Sequence, residues 1–207
     1  MSTDRAKKIK LILFDVDGVL TDGTIWLFPA PASGPRSTDA HAQRHQDSAG
    51  YAIVSQSMIE AKGFHAHDGT AVSLARLGGL KTGVVTKRIS ETVALRARDL
   101  RLDYVFQGAA NKSDVLDKIL ADGGISEEEV AYVGDDVIDL PIMVRCGLAI
   151  AVADARPQVT QIAHYQTPSN GGKGAARDAV EYILKAQGTL EQAIEAYIYN
   201  RPTIKSQ

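Results

Sequence analysis

Apolar residues gather in four short runs, at 11–14, 83–85, 131–133 and 148–152, with a weaker one at 104–106. Runs this brief, bounded by polar residues, suit strands buried on both faces of a parallel sheet. Between them lie stretches with helical patterning: 69–78, 90–100, 112–121, 139–146 and 174–187. Strand and helix alternating at this spacing predict an α/β fold, a doubly wound, mostly parallel, Rossmann-like sheet with helices on both faces. Local signals fix the phase. Asp68 and Asn111 stand where they would cap the helices that follow, and Ser126 with Glu129 has the spacing of a capping box. Asp139 followed by Pro141 fits a helix with proline in its first turn. Gly78-Gly79 and Gly123-Gly124 stop the helices before them.

One stretch breaks the rhythm. Residues 29–50 carry three prolines, much Ala, Ser and His, and almost no large apolar side chain. Such a composition buries little surface, so a mobile insertion is expected there. Residues 51–61 are apolar enough for a short helix or strand within it. The 207 residues suit one α/β domain with an appendage, spanning 1–207, and no internal repeat is visible.

Composition narrows the function. The net charge of −2 and the absence of a long basic run argue against broad nucleic-acid or membrane-surface binding. The apolar run at 11–14 is too short for a signal sequence or a membrane span, which predicts a cytoplasmic protein. One cysteine, Cys146, excludes an intramolecular disulfide and reads as a buried structural thiol.

In an open parallel sheet, ligands bind at the carboxyl ends of the strands. After the first run come Asp15, Asp17 and Gly18; after the second, Thr86; after the weak run, Lys112; after the fourth in chain order, Gly134, Asp135 and Asp136, with Asp139 beyond. Carboxylates converging on one point repel unless a cation lies among them. Oxygen ligands without His or Cys favour Mg²⁺. A lysine and a hydroxyl beside that metal supply what a phosphoryl group needs, positive charge and hydrogen-bond donors. An aspartate there can act as nucleophile, and a second carboxyl two residues on can protonate the leaving oxygen and then activate water. The set predicts phosphoryl transfer to water.

FDVDGVLTDG (14–23), the Thr86 loop, Lys112 and VGDDVIDLP (133–141) resemble, in order, the four motifs of the haloacid dehalogenase superfamily. HDG (67–69), DYVFQGAANKSDVL (103–116), GLAIAVADARP (147–157) and GGKGAARDAVEYIL (171–184) narrow the resemblance to the 3-deoxy-D-manno-octulosonate 8-phosphate (KDO 8-phosphate) phosphatases. It implies Asp15 as nucleophile and metal ligand, and Asp17 as acid/base with its backbone carbonyl on the metal. Asp135 completes the ligands, Asp136 and Asp139 support them, and Thr86 and Lys112 hold the phosphoryl group. Arg88, Lys87, His67 and Gly23 become candidates for substrate contact. The resemblance further implies no large cap domain and a homotetramer assembled through a β-hairpin flap at about 23–67. It also implies a C-terminal tail, at about 188–207, able to cover a neighbouring site.

The chain departs from that family in three places. Thr86-Lys87-Arg88 stands where Thr-Gly-Arg is usual, and His67 stands where an arginine is usual, and the hairpin is longer. Other nonulosonate or octulosonate phosphates therefore remain alternative substrates, and a catalytically idle regulatory module remains an alternative function. A signalling receiver domain uses similar residues, but there the acidic pair precedes the phosphorylated aspartate.

Overall fold

The structure, a computed structural model, describes residues 1–29, 41–44, 51–54 and 58–200. Strands β1 (Leu11–Phe14), β2 (Trp26–Pro29), β3 (His41–Arg44), β4 (Tyr51–Val54) and β5 (Met58–Ala61) follow helix α1 (Ser2–Ala6). Helix α2 (Ala66–Leu77) leads to β6 (Lys81–Val85), β7 (Arg88–Ile89), α3 (Glu91–Leu100), β8 (Tyr104–Phe106) and α4 (Lys112–Gly123). The rest comprises β9 (Val130–Gly134), α5 (Leu140–Met143), β10 (Leu148–Ala151), α6 (Pro157–Ile162), β11 (Tyr165–Gln166), α7 (Ala175–Gln187) and α8 (Leu190–Ile198).

Six strands form the predicted parallel sheet in the order β11-β10-β9-β1-β6-β8. Alternate residues of β1 serve opposite faces, because side chains in a strand alternate. Ile12 and Phe14 join Leu74, Val180, Ile183 and Leu184 on one side. Leu11 and Leu13 join Leu116, Ile119, Ile142 and Met143 on the other. Each fully buried large apolar side chain contributes roughly 1.5–3 kcal/mol. The chain leaves β1 for β6 and β8 on one side, then crosses to β9, β10 and β11 on the other. The order thus reverses between β1 and β9, where a crevice opens at the strands' carboxyl ends.

Several expectations are corrected. Asp68 does not cap its own helix, which begins at Ala66 after His65. Its buried carboxylate instead accepts the backbone N–H groups of Gly174 and Arg177, at 3.2 and 3.1 Å, and so caps α7. Asn111 does cap α4, accepting from the backbone N–H of Ser113, and the Ser126/Glu129 capping box is formed. Within the expected insertion, β3 pairs antiparallel with β4, and β4 runs parallel to β7. Residues 30–40, 45–50 and 55–57 lie outside the described residues, as do 201–207 of the tail. The rest of the tail includes α8, whose Leu190, Ala193 and Ala196 are buried, so it belongs to this chain's own core. His67 stands in the first turn of α2 and His65 just before it, with their rings edge to face, 4.8 Å apart. Cys146 is buried, which pushes its thiol up to about 12.

Candidate active site

The loop after β1 carries Asp15, and the loop after β9 carries Asp135, on either side of the switch point. Two glycine positions let the loops meet. Gly18 has φ +89°, and a Cβ there would lie 2.2 Å from Asp135 Oδ2. Gly171 brings the 171–174 loop so close that its Cβ would lie 1.8 Å from the Gly18 carbonyl. Only glycine allows both approaches.

Asp15, Asp135 and Asp139 each offer a carboxylate oxygen, and these lie within 4.8 Å of one another. Lys112, at the start of α4, places its ammonium 3.0 Å from Asp15 Oδ1 and 2.6 Å from Asp139 Oδ1. It also donates to the hydroxyl of Tyr132, which itself donates to Asp139. Asp139 Oδ2 accepts the backbone N–H groups of Asp135 and Asp136, so every oxygen of this buried carboxylate is engaged. Asp139 therefore ties the lysine to the β9 loop, as a supporting group.

The electrostatics suit a cation. Burial, then repulsion from Asp139, outweighs Lys112 and pushes Asp15 up to about 7. Burial and the charges of Asp139, Asp15 and Asp136 push Asp135 up to about 8. Burial alone would lower Lys112, but Asp15 and Asp139 hold it above its ordinary value as an ammonium. Asp135 Oδ1 is buried without a hydrogen-bond partner. A buried carboxylate oxygen left so is costly, and a hard cation with oxygen ligands answers that cost. The cluster is able to hold a divalent metal.

The remaining predicted residues sort into two groups. Thr86 is buried at the end of β6, beside β1 in the sheet. Asp17 and Gly23 line a cleft of about 330 Å³ together with Asp135, Asp22, Asp136 and Asp154. Asp136 turns its carboxylate to its own loop, accepting the N–H of Val137 at 2.7 Å. Arg88 reaches Asp17 Oδ2 at 3.6 Å. Lys87 is half-buried between Thr86 and Arg88, and His67 is exposed in the first turn of α2. Sequence reasoning missed Tyr132, Glu60 and Lys62. Lys62 holds the Asp17 carboxylate through Oδ1, and its side chain is wholly buried.

Nucleophile candidate, lysine and acidic loop arranged this way on a doubly wound sheet define a class. Residues 86–178 match the family described as haloacid dehalogenase-like hydrolase. The chain is 34% identical over 193 residues to 3-deoxy-D-manno-octulosonate 8-phosphate phosphatase KdsC of Escherichia coli (strain K12), covering 91% of this chain and 86% of the relative. The structure of the same-named phosphatase from Yersinia pestis superposes with TM-score 0.76 at 33% identity, over 92% of this chain and 88% of that one. The enzyme of Moraxella catarrhalis, solved with magnesium ion, phosphate ion and KDO, gives TM-score 0.76 at 29% identity, over 95% and 97%. The chain belongs to this phosphatase family of haloacid dehalogenase-like hydrolases, and is a phosphoric monoester hydrolase. Among the described residues, no helix is long and apolar enough to cross a membrane.

Proposed function

We propose that the chain hydrolyses a sugar-acid phosphate monoester, KDO 8-phosphate first, through a phosphoryl group carried on Asp15. The observation that carries this reading is the buried Asp15–Lys112 pair beside the unpartnered Asp135 oxygen. Asp15 and Asp135, with the backbone carbonyl of Asp17, would hold Mg²⁺, which when bound offsets charge on the phosphoryl oxygens. Lys112 and Thr86 bind those oxygens and aim the phosphorus at Asp15. An Asp15 oxygen bonds to phosphorus as the ester P–O bond breaks, and the departing oxygen takes its electron pair and a proton from Asp17. Water then attacks the acyl phosphate at phosphorus, Asp17 recovers the proton, and phosphate leaves with Asp15 restored.

Arg88, beside Asp17, is suited to the carboxylate of a sugar acid by its guanidinium fork. Exposed Trp26, Leu27, Phe28 and Ile59 on the β2–β5 hairpin support assembly through the flap, as the homotetramer expected from the resemblance requires. Solution mass checks this; a monomer would contradict it. The activity is tested by phosphate release from KDO 8-phosphate, other octulosonate and nonulosonate phosphates, and simple sugar phosphates, with Mg²⁺ and with chelator. Preference for KDO 8-phosphate, lost with chelator, is expected. Turnover spread over the other esters would keep the chemistry and reject the substrate.

A further inference from the structure

The flap's return strand ends in two charged residues that the motif reading left without a role. Glu60, in β5, and Lys62, just after it, are two positions apart in extended chain and so face the same way. Lys62 places a wholly buried ammonium on Asp17 Oδ1. Glu60 accepts from Ser90 Oγ at 2.6 Å, and its other oxygen lies 3.7 Å from Arg88 Nη1. Arg88 Nε in turn lies 3.6 Å from Asp17 Oδ2. Charges therefore alternate Lys62–Asp17–Arg88–Glu60, from the flap around the carboxylate and back to the flap.

Removing an ammonium from water costs several kcal/mol, and a paired carboxylate is what makes a buried lysine tolerable. If anchoring the flap were the only need, an apolar side chain would serve at lower cost. What the ammonium adds is direction. It occupies one oxygen of Asp17 and fixes the carboxyl plane, while Oδ2 stays beyond hydrogen-bond length of Arg88. Asp17 meanwhile lines the cleft in which an ester oxygen would sit.

We propose that Lys62 is a positioning residue for proton transfer by Asp17, so that the flap takes part in the cleavage of the ester bond. The proposal rests on the reading of Asp17 as acid/base given above. Oδ2 gives its proton to the leaving oxygen as the P–O bond breaks and its electron pair moves to that oxygen, while Asp15 forms the new bond to phosphorus. A loosened Asp17 then harms esters whose leaving group needs a proton, and spares those whose leaving group does not.

The test compares kcat/KM for KDO 8-phosphate, an alkyl ester, with that for p-nitrophenyl phosphate, whose leaving group departs unprotonated. Wild type, Lys62→Met and Lys62→Arg are assayed with Mg²⁺. Because kcat/KM covers only the steps through ester cleavage, the later attack of water does not blur the comparison. The ratio of the two values is independent of how much of a variant is folded. Lys62→Met is expected to lose about 10²–10³-fold on the alkyl ester and under about tenfold on the aryl ester, within the usual range for general acid catalysis. Lys62→Arg, which keeps the charge, is expected to recover part of the alkyl activity. An equal loss on both esters, or no loss on either, overturns the proposal and leaves Lys62 as a flap anchor. A wild-type enzyme that cleaves neither ester overturns the phosphatase reading itself.

Discussion

Lys112 carries three hydrogen bonds from a fully buried ammonium, to Asp15, Asp139 and Tyr132. Removing one partner of such an arrangement strands the others, which typically costs about 3–5 kcal/mol. Lys112→Met is therefore expected to lower unfolding free energy by about that amount in urea titrations, and to abolish competitive inhibition by inorganic phosphate. Unchanged stability would mean that the pair contributes nothing net. Gly18→Ala is expected to inactivate as well, since its Cβ would meet the Asp135 carboxylate from a backbone with φ +89°. At this scale the residues of the cluster legible in the sequence are Asp15 and Asp135, each just past an apolar run, and Lys112, which opens the helix after the weak run. Tyr132 was hidden because it sits inside such a run, where an aromatic reads as core. Lys62 and Glu60 were hidden because no period in the flap marks which face turns inward.

Among the elements, α7 illustrates how a sequence signal can be right in kind and wrong in partner. Asp68 has the chemistry of a cap, but the N–H groups it satisfies begin a helix more than a hundred positions later. Asp68→Ala is expected to cost about 0.5–2 kcal/mol in urea titrations, the usual value of a lost cap. No change would show those N–H groups to be satisfied by water. The strands β1, β6, β9 and β10 were legible as apolar runs. Helix α8 was not separated from the tail, although Leu190 and Ala193 recur at helical spacing and both are buried. The pairing of β2 with β5 follows from the hairpin reading, whereas β4 beside β7 is a long-range pairing that no local pattern encodes.

Across the whole molecule, the sheet gathers more negative charge than Lys112 can balance. Asp15 and Asp135 are held well above their ordinary value of 3.8, at about 7 and about 8. The folded state therefore binds more protons than the unfolded state across that window, and stability falls as pH rises. The contribution of these two groups is fully present below about 3.8 and lost by about 8. In chelator, Tm is thus expected to fall between about pH 5 and about pH 8. Mg²⁺ is expected to restore more at the upper end, where protons no longer compete with it. Thermal unfolding with and without chelator measures both; a Tm that rises with pH in chelator would contradict the acidic-cluster account.

The most direct test of the central claim is the Asp15→Asn variant, which keeps the side chain's shape and removes the nucleophile. With KDO 8-phosphate and Mg²⁺, phosphate release is expected to fall by at least about 10³-fold, as when a covalent nucleophile is removed from other enzymes. Release at the wild-type rate would contradict the account and move the chemistry away from Asp15.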